Sequence, residues 1–110
     1  MRLDRALLWL VLAIAIAGCS KQRAPVTHHV AIHQMQFVPP TLEVAVGDTV
    51  VWTNEDVLPH TVTSGVPSAA TFDSKSIEAK QEWKYEVTAA GEIAYGCTFH
   101  PTMHGTLIVH

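Results

Sequence analysis

From His28 onward, apolar and polar residues alternate with a period of two, and turn signals interrupt the alternation at short intervals. Such a pattern gives each extended segment one dry face and one wet face, and the dry faces need a second sheet to cover them. The sequence therefore predicts an all-β sandwich. Val30 and Ile32 alternate with Ala31 and His33, and Leu42, Val44 and Val46 with Glu43 and Ala45, ahead of a Gly47-Asp48 turn. Val50 and Trp52 share one face, Val51 and Thr53 the other. Trp83, Tyr85 and Val87 alternate with Lys84 and Glu86. After Ala90-Gly91, Ile93, Tyr95 and Cys97 share a side, and a last strand is expected over Gly105–Val109. Pro39-Pro40 cannot donate to a ladder and predicts an edge or a switch between sheets. Gly65 and Pro67 argue for loops across Thr63–Ser76, with room for one short helical turn over 66–70.

The first 27 residues read differently. Arg2 and Arg5 precede the apolar run Ala6–Ala17, which is too short to span a bilayer but suits the apolar region of an export signal. The run closes in Ile16-Ala17-Gly18-Cys19, which resembles the lipobox of bacterial lipoproteins. That resemblance implies cleavage before Cys19 and a lipid upon it, an incidental cysteine in an ordinary secretory signal being the alternative. Residues 1–18 are thus expected to be a signal peptide, 19–27 a lipidated N-terminus and tether, and 28–110 one domain. The tether, fully extended, reaches roughly 26–28 Å. The domain would then sit on the periplasmic or cell-surface side of a bacterial membrane. Cys19 and Cys97 are not expected to pair, although an oxidising compartment would permit it. From Ser20 on, five Lys or Arg stand against nine Asp or Glu. No basic patch with interleaved aromatics emerges, which sets nucleic acid aside as a partner.

The chemistry concentrates in Tyr95-Gly96-Cys97-Thr98-Phe99-His100-Pro101-Thr102-Met103-His104-Gly105, with a second histidine upstream in Leu58-Pro59-His60-Thr61-Val62. A lone Cys or Met is ordinarily apolar filling. Here a thiol, an imidazole and a thioether follow one another on a short loop, each separated by two residues. Soft sulfur ligands and imidazole suit copper, and two histidines, a cysteine and a weak axial methionine are the set of an electron-transfer copper site. Zinc could take the cysteine and both histidines but gains little from Met103.

Together with Ile32-His33-Gln34-Met35-Gln36-Phe37 and Gly47-Asp48-Thr49-Val50-Val51-Trp52-Thr53-Asn54, these stretches resemble the cupredoxins, the small blue copper proteins, in their amicyanin-like and plastocyanin-like branches. The resemblance implies a Greek-key β-sandwich holding one type 1 copper per chain. It implies His60, Cys97 and His100 as near-trigonal ligands and Met103 as the long axial contact. The implied activity is that of a monomeric electron carrier between a redox donor and a redox acceptor, not of an enzyme. Copper delivery, storage or tolerance is the second reading, which extra Met or His clusters would favour. Relatives often carry asparagine beside the first histidine; Thr61 stands there instead, and its hydroxyl is expected to bond toward Thr98. Leu58, Pro59, Phe99 and Pro101 are expected to form an apolar docking patch around His100. Pro101 would stiffen the ligand loop, and Gly105 would turn the chain into the last strand. Met35 reads as a core methionine, His104 as solvent-exposed, and His28, His29, His33 and His110 as tail and strand surface.

Overall fold

The computed structural model describes residues 23–65 and 67–110; the expected signal peptide and Cys19 lie outside the described residues. Among the described residues the chain forms eight strands and no helix: β1 (Thr27–His33), β2 (Gln36–Val38), β3 (Thr41–Val44), β4 (Thr49–Asn54), β5 (Thr63–Ser64), β6 (Glu82–Glu86), β7 (Gly91–Cys97) and β8 (His100–Val109). Residues 67–70 make bends and no helical turn.

The strands build two four-stranded sheets, ordered β2-β1-β4-β6 and β3-β8-β7-β5. Pairings β1–β4 and β3–β8 are parallel and the rest antiparallel. The chain leaves the first sheet after β2 and joins the second at β3, so Pro39-Pro40 marks the predicted switch. The alternating residues become the core. Val30, Ile32, Phe37, Val50 and Trp52 from one sheet meet Val44, Ile93, Tyr95, Cys97, Leu107 and Val109 from the other. Each large aliphatic side chain so covered contributes about 1.5–3 kcal/mol. Trp52 lies at the centre, edge-on to Tyr95 at 5.4 Å and 5.6 Å from Trp83.

Three departures from the sequence pattern have local causes. Val46 is half-exposed because the β3 ladder ends at Val44. Val51, on the nominally wet face, is buried between its cross-strand partners His29 and Lys84. Gly105 is not at a turn: it sits within β8, directly opposite Tyr95. A Cβ there would lie 2.6 Å from Tyr95 Cε2 and nearer still to Cζ and the hydroxyl. The missing side chain makes room for the ring. Burial pushes the Tyr95 phenol up to about 12.

At one end of the sandwich the buried Asp48 gathers the N-terminal segment. Its carboxylate accepts from Val26 N (2.9 Å), Ala45 N (3.0 Å) and Arg23 Nη2 (2.7 Å), and lies 2.8 Å from His28 Nε2. The Val26 donor foremost, with His28 next, holds this carboxyl well below the usual range against the opposing effect of burial. His28 is thus a partner of Asp48 and not simple strand surface. The segment from Arg23 is docked where a loose tether would swing. β4 starts beside Asp48 and ends at Asn54, carrying the chain about 20 Å to the opposite end.

Candidate metal centre

At that far end Asn54, fully buried, shapes the loop carrying His60. Its Nδ2 donates to the carbonyls of Leu58 (2.8 Å) and Ile77 (2.9 Å), and its Oδ1 accepts from Asp56 N (2.9 Å). His60 is fully buried, and its backbone exchanges hydrogen bonds with Ile77. Its Nε2 lies 2.8 Å from Asp56 Oδ2 and its Nδ1 3.8 Å from Cys97 Sγ. Donation from Nε2–H to the carboxylate leaves the Nδ1 lone pair facing the sulfur, the tautomer a metal needs. Asp56 also accepts from Gln34 N (2.7 Å) and Met35 N (3.0 Å). Burial alone would raise its carboxyl, but the Met35 and Gln34 donors and His60 together bring it below the ordinary value.

β7 delivers Cys97 at its end, and Thr98-Phe99 turn the chain back so that Cys97 pairs with His100. Gly96 then pairs with His104, leaving Pro101-Thr102-Met103 bulged out of β8. Bulges of this kind re-aim side chains beside functional sites. Gly96 permits it: a Cβ there would stand 2.8 Å from the Met103 carbonyl oxygen. Met103 is buried, 1% exposed, and His100 Nδ1 is 3.5 Å from Cys97 Sγ.

The donor atoms of His60, Cys97 and His100 all lie within 4.8 Å of one another. Metal–sulfur and metal–nitrogen bonds of about 2.3 and 2.0 Å at angles of about 110–120° separate sulfur from nitrogen by roughly 3.5–3.7 Å, where a right angle gives about 3.0 Å. The observed 3.5 and 3.8 Å fit a trigonal or tetrahedral ion and not a square-planar one. In donor type and in sulfur–nitrogen spacing the residues present fit a copper centre held by the sulfur and its two imidazoles.

Thr61 binds the two loops together. Its N–H donates to Cys97 Sγ (3.3 Å), its Oγ1 accepts from Thr98 N (2.9 Å), and the hydroxyls of Thr61 and Thr98 are 3.1 Å apart. Around the half-covered His100, Leu58 and Phe99 are each about half exposed (49% and 51%) and Val57 is almost free (90%), with Pro59 partly covered and Pro101 exposed. These residues form an apolar rim at this end. His104 is exposed.

Met35 is exposed and not in the core. Gln34 (φ 50°) and Met35 (φ 61°) form the two-residue connection of the β1–β2 hairpin, both in the left-handed region. Primed turns of this kind match the twist of the flanking strands, and Met35 stands at the hairpin tip outside the core. Neither Asp56 nor Asn54 stands out in the sequence. The one signal is a carboxylate four residues before His60.

Residues 24–110 match the family of copper binding proteins described as the plastocyanin/azurin family. Amicyanin of Paracoccus denitrificans is 38% identical over 82 residues, 73% of this chain and 63% of the relative. Amicyanin-alpha of Methylorubrum extorquens is 33% identical over 91 residues, 80% of this chain and 76% of the relative. The chain spans less than two thirds of the Paracoccus amicyanins it matches, 63% and 62%. Among solved structures, the Cu(I) form of a methionine-to-alanine mutant of amicyanin superposes with a TM-score of 0.70 at 35% identity, covering 82% of this chain and 88% of that one. A copper-containing nitrite reductase from Thermus scotoductus SA-01 reaches 0.70 at 29% identity, over 81% of this chain but only 23% of the enzyme.

Proposed function

The chain belongs to the plastocyanin/azurin family of copper-binding proteins, the cupredoxins, and from that membership we propose that it is an electron carrier working outside the cytoplasm. The observation that carries this reading is the sulfur of Cys97 held 3.5 and 3.8 Å from two imidazole nitrogens, with a buried methionine on the same loop. His60, Cys97, His100 and Met103 would hold one type 1 copper, which supplies reversible one-electron exchange between Cu(I) and Cu(II).

The protein's own contribution is to keep the ligands still. Asp56 fixes the His60 ring, Thr61 fixes the Cys97 loop, and Gly96 lets the Met103 bulge lie close to β7. Ligands fixed before an electron moves need little rearrangement afterwards. His60 is sealed from solvent, whereas His100 reaches the surface inside the apolar rim. Electrons would therefore pass through His100 to donor and acceptor proteins docked on Leu58, Pro59, Phe99 and Pro101, since an exposed apolar patch marks interaction. The nitrite reductase match spans too little of that enzyme to bring its activity here.

The motif Ile16-Ala17-Gly18-Cys19 supports a lipid-anchored mature protein beginning at Cys19, after a signal over 1–18, on the periplasmic or cell-surface side. Mass spectrometry of the membrane-extracted protein would find a diacylglycerol-bearing N-terminal cysteine. The copper reading is tested by adding one equivalent of Cu(II) and recording optical and electron paramagnetic resonance spectra. An intense visible thiolate band with narrow hyperfine splitting, bleached by reductant and restored by oxidant, is expected. A pale spectrum with wide splitting would remove Cys97 from the equatorial ligands and end the carrier reading.

A further inference from the structure

A second approach to the same centre lies apart from the apolar rim. A groove of about 440 Å³ runs between the β1–β2 hairpin and the Thr102–Met103 part of the bulge, lined by Met35, Phe37, Thr102, Met103 and His104 among others. Two exposed residues with soft or borderline donors, Met35 and His104, thus share one groove with the buried Met103. Met35 is fixed beside the centre because a single oxygen, Asp56 Oδ2, accepts from its N–H and lies 2.8 Å from His60 Nε2. Its backbone sits at φ 61°, a conformation that favours glycine or asparagine over methionine. A partly exposed methionine in so unfavourable a backbone conformation points to use of its sulfur. Thioethers select Cu(I), and an unbranched methionine adapts to a passing ion.

We propose that this groove is the loading route for Cu(I): the Met35 thioether and the His104 imidazole take the incoming ion and hand it to Met103, His60, Cys97 and His100. The ion stays Cu(I) throughout, so no electron moves. The Cys97 S–H bond breaks as the copper–sulfur bond forms, and the proton leaves to solvent. The inference rests on the copper centre proposed above and adds the side from which it fills. Loading from the hairpin side leaves the rim around His100 free for redox partners, so the two traffics do not compete for one surface.

The test mixes metal-free full-length protein with Cu(I) held by bicinchoninate and follows loss of the chelate colour in a stopped-flow instrument. Met35→Leu should slow Cu(I) uptake, and Met35→Leu with His104→Ala should slow it roughly tenfold or more. Uptake of Cu(II), for which a thioether is a poor ligand, should fall far less. Wild-type uptake rates in the double variant would overturn the route. Equal slowing for Cu(I) and Cu(II) would also overturn it, since that is the signature of a merely structural role. Failure of the wild-type protein itself to take copper and turn blue on oxidation would instead sink the copper reading beneath it.

Discussion

Replacing Gly105 by alanine puts a methyl group where the Tyr95 ring lies. Its Cβ would stand 2.6 Å from Cε2 and closer to Cζ and the hydroxyl, so the ring or the backbone must move. The ring has nowhere to go. Phe37 meets it edge-on at 4.8 Å and Trp52 at 5.4 Å. The backbones cannot part cheaply either, because Tyr95 and Gly105 are direct partners in the β7–β8 ladder. Overpacking a closed core costs about 1–3 kcal/mol, and with both escapes blocked the upper figure applies. Against it stands about 0.4–1 kcal/mol gained by removing a glycine from the unfolded chain. The strain wins, leaving a net loss of about 2 kcal/mol, or roughly 8–16 °C in Tm for a domain this size. Thermal and urea unfolding of the metal-free protein, followed by tryptophan fluorescence, reads this directly. Tyr95→Leu removes the obstructing ring, so the cycle Tyr95→Leu with Gly105→Ala should show a coupling of about 1 kcal/mol or more in favour of the double variant. A single Gly105→Ala variant within about 0.5 kcal/mol of wild type would refute the reasoning.

Asp56→Ala deprives His60 Nε2 and the Gln34 and Met35 N–H groups of their acceptor. Copper affinity, measured against a competing chelator, should drop about 10–100-fold. Thr61→Val leaves Thr98 N–H without its bond and should cost about 1 kcal/mol in urea unfolding while speeding copper release. Unchanged values for both would dismiss Thr61 as the tie between the loops. The carboxyls of Asp48 and Asp56 are held below their ordinary value of 3.8 in the folded protein. The unfolded chain therefore takes up protons first on acidification. The stabilisation is fully present above about pH 5 and is lost as pH falls through 3.8 toward the folded values. An acid-unfolding series should show this, with a shallower fall in Asp48→Asn; an identical slope would count against the clasp.

The faces of the strands were legible because a period of two maps straight onto the two sides of a sheet. Ile93, Tyr95 and Cys97 face inward for that reason, and Pro39-Pro40 stands at the crossing between sheets because proline cannot extend a ladder. Thr61 was legible as a hydroxyl beside a histidine with another threonine after the cysteine. What escaped depends on register between distant segments. Asp48 meets Arg23 across 25 positions, and Gly105 matters only because β7 and β8 align it with Tyr95. Asp56 looks like any loop carboxylate until the β1–β2 turn folds over it. Apolar character suggests burial for Met35, but pairing of His33 with Gln36 leaves it in the hairpin turn, outside the core.

The Asp48 clasp also decides how the molecule is held. Residues ahead of Arg23 join the domain at the end where β4 begins, and His60, Cys97 and His100 lie beyond the end where β4 stops. Any leash attached in front of Arg23 therefore grips the protein by its heel. Lengthening such a leash would widen the volume the domain sweeps, while the point of attachment stays at the end of β4 opposite His60, Cys97 and His100.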